Sequence, residues 1–315
     1  MSQECQNRIA VSGGSGLVGR SLCRALREAG WTLTLLDRQV LGGETAELSR
    51  RIEGVGGIIN LAGAPILGRR WSPAYKQVLA ESRIGVTRRL VEAMAASTER
   101  PQWLISTSAV GYYQAGRRHT ESDCRPADDF LGRLTKGWEA EALRAQGLGL
   151  RVVIFRLGVV LGPDGGALAQ MLPLFRLGPD GGALAQMLPL FRLGLGGVLG
   201  RGDQALSWIH LDDVVQAYLA ASRDPSWQGI YNLTSPWPAT NAELTRALGR
   251  ALHRPTLLPV PAWALTLRFG EGATALIRGQ EVIPQRLQER NFPFAHPRLD
   301  QAVKACLTGR AHLNH

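Results

Sequence analysis

Ser12-Gly13-Gly14-Ser15-Gly16-Leu17-Val18-Gly19 is the stretch on which the reading of this 315-residue chain turns. It follows a short apolar run, Arg8 to Ser12, and opens an amphipathic segment, Leu17 to Ala29, with Leu22, Ala25 and Leu26 on one helical face. Strand, glycine turn and helix in that order make an anion site. Gly13 permits a tight turn and Gly16 lets a pyrophosphate approach the backbone. Gly19 lets helix and strand pack closely, while the helix N-terminus stabilises the negative charge. The G-x-x-G-x-x-G spacing differs by one residue from the G-x-G-x-x-G dinucleotide fingerprint, and its strand-turn-helix context is the one that fingerprint requires. Gly13, Gly16, Leu17, Val18 and Gly19 are therefore candidate cofactor contacts.

Outward from the turn, strands and helices alternate. Trp31–Leu36, Ile58–Ala62, Trp103–Thr107 and Leu150–Leu161 read as strands, and Pro73–Ala96 and Phe130–Gln146 as helices. This alternation means βαβ units and a parallel sheet. Ser207–Leu211 and Gly229–Thr234 read as further strands, with helices at Asp212–Ala221 and Asn241–Leu252. From Arg254 the composition shifts toward Pro, Trp and Arg. The expected fold is α/β: a Rossmann-type doubly wound parallel sheet with a smaller, mostly helical C-terminal substrate domain. The dinucleotide-binding part is assigned to residues 1–162 and 205–238, and the substrate or cap region to 163–204 and 239–315. Gly162 to Leu177 is repeated without change as Gly178 to Leu193. One tandem copy is not a solenoid, which needs about three repeats. The surplus copy is expected on the surface as a short helix and loop.

Asp37 ends the second strand at the distance where a carboxylate would bind the adenosine ribose, which favours NAD. Arg38 follows and could pair with a 2′-phosphate, which favours NADP. Both cofactors stay open. Leu61, Ala62 and Gly63 end the third strand at the carboxyl edge, where small residues let a cofactor lie flat.

Composition narrows the alternatives. The formal net charge is +10, but the Lys and Arg residues are scattered and no groove-reading motif is present, which argues against nucleic acid. No apolar run has the roughly 18 residues of a membrane span. The four cysteines form no C-x-x-C pair, so no metal site is expected, and free thiols in the cytoplasm are.

The chain resembles the extended short-chain dehydrogenase/reductase superfamily. The residues that carry this are the glycine turn, Asn60-Leu61-Ala62-Gly63, Ser106 to Tyr113, Arg156 to Gly162, Trp208 to Val214 and Tyr231-Asn232-Leu233-Thr234. Within it, the chain is similar to sugar-nucleotide-epimerase-like proteins with a characteristic C-terminal domain. Arg70-Trp71, Ser82-Arg83, Gly165 to Leu168, Thr240 to Glu243 and above all Gly279 to Arg286 carry that closer likeness.

The resemblance implies a serine and a Tyr-x-x-x-Lys pair. In it the tyrosine moves a proton at the substrate oxygen, and the lysine lowers its pKa and holds the nicotinamide ribose. Ser108 matches the serine. Lys136 is the only lysine in the expected helix, but Gly132 stands four residues before it, and no tyrosine lies between Pro126 and Leu150. Tyr112, or its neighbour Tyr113, is the candidate substitute acid, and Thr135 or Lys136 the ribose contact. The resemblance also implies that Arg83 reaches the cofactor. His210 is a further candidate base, and Glu281 and Arg286 are placed at the pocket wall. The expected function is an NAD(P)(H)-binding, epimerase-like oxidoreductase, NADP first and NAD as alternative. It would transfer hydride at a hydroxyl or carbonyl carbon of a small substrate, a nucleotide sugar among the options. The alternative is a non-catalytic dinucleotide sensor. A homodimer is compatible with either.

Overall fold

The computed structural model describes residues 7–67, 69–163, 165–166, 197–256 and 259–308. Most of the tandem repeat, and with it the expected surface helix and loop, lies outside the described residues.

The chain begins with β1 (Arg8–Ser12), α1 (Leu17–Glu28), β2 (Thr32–Leu36), α2 (Arg38–Gly42), α3 (Thr45–Ile52) and β3 (Gly57–Asn60). Next come α4 (Pro73–Ala80), a π-helical turn (Glu81–Gly85), α5 (Val86–Ala96), β4 (Trp103–Ala109), β5 (Arg118–His119) and α6 (Phe130–Leu143). Then follow β6 (Arg151–Leu157), β7 (Val159–Gly162), β8 (Gly165–Gly166), β9 (Ala205–Leu206), β10 (Trp208–His210), α7 (Leu211–Arg223) and β11 (Gly229–Leu233). The rest comprises β12 (Ala239–Thr240), α8 (Asn241–Leu252), α9 (Ala262–Phe269), α10 (Thr274–Ile277), β13 (Glu281–Val282), α11 (Gln285–Glu289) and α12 (Leu299–Thr308).

Six parallel strands form the central sheet in the order β11-β6-β4-β3-β1-β2. The order reverses between β1 and β3, and a doubly wound sheet opens its ligand crevice at that switch point. Side chains alternate across the sheet, as a strand dictates. Ile9 and Val11 of β1 pack with Leu22 and Leu26 of α1 and with Val214 of α7. Ala10 faces the other side, with Leu48, Leu90, Val91 and Met94. Helices thus cover both faces, and the strands read as continuous apolar runs because both faces are buried.

Two expected elements divide. The strand read over Leu150–Leu161 ends at Leu157, and β7 leaves the central sheet to pair with β10. The helix read over Pro73–Ala96 carries the π-helical turn in its middle. Neither break shows in the hydrophobic period, because the residues on both sides keep it. The C-terminal region is helical. Its core joins Leu244 and Leu248 of α8, Leu265 and Phe269 of α9, and Val303 of α12 to Leu161 and Trp208. Among the described residues no helix is long and apolar enough to cross a membrane.

The motif Gly279–Arg286 works as a clasp. Glu281 and Val282 pair in parallel with Arg118 and His119. Arg286 donates to the carbonyls of Ile230 at 2.6 Å and Gln228 at 2.9 Å, and lies 4.0 Å from the Tyr231 ring centroid. Arg286 therefore fastens the C-terminal region to the edge strand β11. Glu281 forms an ion pair with Arg118.

Candidate functional site

The glycine turn stands at the switch point, held by its own backbone. Gly13 has φ +70°, and a Cβ there would lie 2.6 Å from the Leu61 carbonyl oxygen. A Cβ on Gly19 would lie 2.2 Å from the Gly13 carbonyl oxygen. No residue but glycine fits either place. The Gly16 N–H closes the turn on the Gly13 carbonyl at 3.1 Å. Gly16 is also the N-cap of α1 and offers no side-chain hydrogen bond to the first turn. The first-turn N–H groups of this 12-residue helix therefore have no side-chain partner, as an anion site requires. Leu17 and Val18 are half-buried at its start.

The opposite wall is fixed by a buried chain of hydrogen bonds. Ser12 Oγ donates to Asn60 Oδ1 at 2.6 Å, and Asn60 Nδ2 donates to Thr87 Oγ1 at 2.8 Å. The Leu61 N–H bonds the Ser12 carbonyl at 3.2 Å, and the Ala62 N–H bonds Asn60 Oδ1 at 3.3 Å. The segment Leu61–Gly63 is thereby held beside the glycine turn.

Arg83 sits behind it, on the π-helical turn. Its guanidinium would be 3.1 Å from a Cβ on Gly63, donates to the Ala64 carbonyl at 2.9 Å, and lies over the Trp138 ring at 5.3 Å. It is 9% exposed and pairs with no carboxylate among the described residues. Burial without a counter-ion pushes its pKa down to about 10. A buried, uncompensated guanidinium favours an anion beside it. Arg83 thus packs against Gly63 and Ala64, at the end of the loop that faces the glycine turn.

Asp37 and Arg38 lie at the end of β2 and are both exposed. Asp37 Oδ1 accepts the Val40 N–H at 2.9 Å, so this carboxylate oxygen caps α2. Arg38 makes no hydrogen bond or ion pair among the described residues.

Ser108 belongs to a second, buried cluster. Its hydroxyl donates to Glu139 Oε1 at 2.6 Å. Arg156 grips the same carboxylate with two bonds, Nε to Oε1 at 2.8 Å and Nη2 to Oε2 at 2.7 Å. Its Nη1 donates to the Tyr113 hydroxyl at 2.8 Å, and that hydroxyl donates to Asn232 Oδ1 at 2.8 Å. Burial drives the Tyr113 pKa up to about 12, against the pull of Arg156. Tyr112 lays its ring on Arg156, 3.5 Å from centroid to guanidinium carbon. Its hydroxyl donates to the Cys124 carbonyl at 2.7 Å.

The contact between Ser108 and Glu139 identifies the helix face that meets the serine. Residues four and eight positions earlier share that face; they are Thr135 and Leu131. Thr135 is buried and donates back to the Leu131 carbonyl at 2.8 Å. Lys136, three positions before Glu139, borders the same face and is exposed. A Cβ on Gly132 would lie 2.0 Å from the Ala127 carbonyl oxygen, so the position four before Lys136 has no room for a tyrosine. Because Lys136 stands in solvent, Lys136→Ala is expected to shift stability by less than about 0.5 kcal/mol. Urea unfolding reads this shift.

Ser108 and Tyr112 are thus brought together, through Arg156 and Glu139, whereas Lys136 is not. Glu139 was not among the residues singled out from sequence, and Arg156 and Asn232 were named only as parts of the motifs that carry the resemblance. One signal existed: Arg156 is a charge inside the apolar run Arg151–Leu157, and a buried charge needs a partner. His210 is the N-cap of α7, its Nδ1 accepting the Asp212 N–H at 3.2 Å. Burial pushes its pKa down to about 4.

Comparison with known proteins gives a consistent picture. Residues 9–234 match the NAD-dependent epimerase/dehydratase family, and residues 260–306 match a domain of unknown function, DUF1731. An epimerase family protein of Mycobacterium bovis is 39% identical, over 94% of this chain and 96% of its own length. The chloroplastic epimerase family protein SDR39U1 homolog of Arabidopsis thaliana is 35% identical, over 97% of this chain and 88% of its own. The crystal structure of human epimerase family protein SDR39U1 (isoform 2) with NADPH superimposes with a TM-score of 0.84 at 32% identity. That match covers 96% of this chain and 99% of the human one.

Proposed function

The chain belongs to the NAD-dependent epimerase/dehydratase family, and from that premise we propose that it binds NADP(H) in the crevice between β1 and β3. We further propose hydride transfer at a hydroxyl or carbonyl carbon of a small substrate, with nucleotide sugars as the first class to try. The observation that carries the cofactor reading is Arg83, a buried guanidinium with no carboxylate partner among the described residues, behind the loop that faces the glycine turn. The NADPH complex of the human relative supports the same choice.

The residues present fit a dinucleotide. The free first-turn N–H groups of α1 would hold the pyrophosphate, with Arg83 adding charge. Asp37 already spends one carboxylate oxygen on capping α2, and the unpaired Arg38 beside it suits a 2′-phosphate. When bound, the nicotinamide supplies or accepts the hydride. Ser108 has its proton committed to Glu139, so its oxygen is left to accept a bond from a substrate hydroxyl. Arg156 keeps Glu139 oriented. Tyr112 packs its ring on Arg156 beside that cluster, while the Tyr113 hydroxyl is already held by Arg156 and Asn232.

Titrating wild type and Arg38→Ala with NADPH and NADH tests the cofactor assignment. Loss of one exposed charge-assisted contact should weaken NADPH about tenfold and leave NADH within about twofold. Equal loss for both cofactors, or for neither, would remove Arg38 from the 2′-phosphate. The chemical step is tested by following nicotinamide absorbance on addition of nucleotide sugars, with Ser108→Ala as the variant that loses turnover but keeps binding.

One observation favours a second reading, a dinucleotide sensor without turnover. The face of α6 that meets Ser108 carries no tyrosine: Leu131, Gly132 and Thr135 stand there, and Lys136 at its border is exposed. A cellular phenotype that survives Ser108→Ala and Tyr112→Phe, yet disappears when cofactor binding is abolished, would support the sensor.

A further inference from the structure

His210, Asp212 and His296 offer three ligand atoms that all lie within 4.8 Å of one another. Asp212 Oδ2 is 3.4 Å from His210 Nδ1 and 3.2 Å from His296 Nε2. We propose that these three side chains form a mononuclear site for a divalent first-row transition ion, with zinc as the ion they fit, that pins the segment before α12 to the start of α7.

The distances have a metrical reason. Zinc bonds of about 2.0–2.1 Å in a tetrahedron separate neighbouring ligand atoms by about 3.3 Å. The two measured edges bracket that value. The third edge, between the two imidazoles, lies within 4.8 Å, and His296 is partly exposed. Two imidazoles and one carboxylate form a donor set that zinc and its neighbours in the first row accept and that magnesium and calcium do not favour. Asp212 is exposed, so water has access to a fourth position.

The contacts of His210 Nδ1 are the second observation. This side chain is only 2% exposed, and its Nε2, which carries the ring proton, has no hydrogen-bond partner among the described residues. Its Nδ1 accepts the Asp212 N–H and so carries no proton. Nδ1 also faces Asp212 Oδ2 at 3.4 Å, an acceptor facing an acceptor. A cation bound there would take the single Nδ1 lone pair in place of the Asp212 N–H and turn the acceptor–acceptor contact into two bonds.

The site is also supported from behind. Asp213, fully buried, accepts the N–H groups of Ala295 at 2.6 Å and His296 at 3.2 Å. It fixes the backbone that carries His296 and so sets the ring over His210, with centroids 4.0 Å apart. Outer-shell carboxylates of this kind hold ligands in place at metal centres. The partners Asp212 and His296 are 84 residues apart in the chain, and a spacing motif cannot display such a pair.

The test is a chelator-competition titration of the full-length protein with zinc, paired with the visible spectrum of the cobalt form. Wild type should take up one ion per chain in competition with the chelator, and its cobalt spectrum should show the intense bands of a four-coordinate ion. His296→Ala, at a partly exposed position, should lose at least about 100-fold in zinc affinity while still binding NADPH. Asp213→Asn should lose about 10–100-fold, the usual cost of removing an outer-shell partner. Equal zinc retention by wild type and His296→Ala would overturn the proposal, since the ion would then sit elsewhere, for example on a thiol. So would wild type that binds no zinc, or a cobalt spectrum like that of the hydrated ion.

Discussion

Gly13→Ala is expected to abolish measurable NADPH binding, a loss of more than about 100-fold, and to destabilise the fold by about 2–5 kcal/mol. Two costs add. A residue with a Cβ at φ +70° pays about 1–2 kcal/mol for the left-handed conformation. The new methyl would also stand 2.6 Å from the Leu61 carbonyl oxygen, and forcing a carbon into packed backbone costs about 1–3 kcal/mol. Relief can come only by moving the β3 loop away from the glycine turn, and these two segments are the walls of the proposed cofactor crevice. Gly14→Ala is the control: its Cβ would meet only the side chains of Cys23 and Leu35, at 3.3 Å, and these can shift. Fluorescence titration with NADPH and urea unfolding read both effects. Wild-type affinity in Gly13→Ala would take the turn out of the cofactor site.

Arg156→Met should cost about 3–5 kcal/mol of stability, because it leaves Glu139 charged and unpaired in the core. Arg156 and Glu139 have side-chain exposures of 3% and 6%, so water cannot replace the lost partner. The variant also frees the Tyr113 hydroxyl of its donor and lets Ser108 compete for both carboxylate oxygens. Adding Glu139→Leu removes the stranded charge, and the double variant should recover most of the loss, since buried ion pairs replaced by apolar residues often break even. Urea unfolding of the two variants separates the cases. A loss below about 1 kcal/mol in Arg156→Met would mean that solvent reaches the pair. Any hydride transfer found in wild type should fall in the double variant even where stability returns, because Ser108 then has no carboxylate to hold its proton.

Much of the architecture was readable along the chain. The parallel sheet followed from apolar runs alternating with amphipathic segments, since burial on both faces leaves strands no polar side. Asn241–Leu252 was legible to the residue, because Thr240 and Glu243 form a capping box. The division of the strand at Gly158 and the π-helical turn at Glu81–Gly85 were not legible, as neither interrupts the hydrophobic period. Asp37 illustrates a subtler limit. Its spacing suggested a ribose ligand, yet an aspartate before a helix is also a good N-cap, and one of its oxygens serves that role.

By itself, the sequence determined the glycine turn, its place between strand and helix, and the absence of a Tyr-x-x-x-Lys pair. Each depends on residues close together in the chain, where spacing translates directly into geometry. Only the tertiary structure decided which face of α6 meets Ser108, that Glu139 and Arg156 complete its surroundings, that Arg83 is buried without a counter-ion, and that His210 and His296 meet. Those relations join segments between 17 and 86 residues apart, and sheet order and helix packing, not local spacing, bring them within a few ångströms.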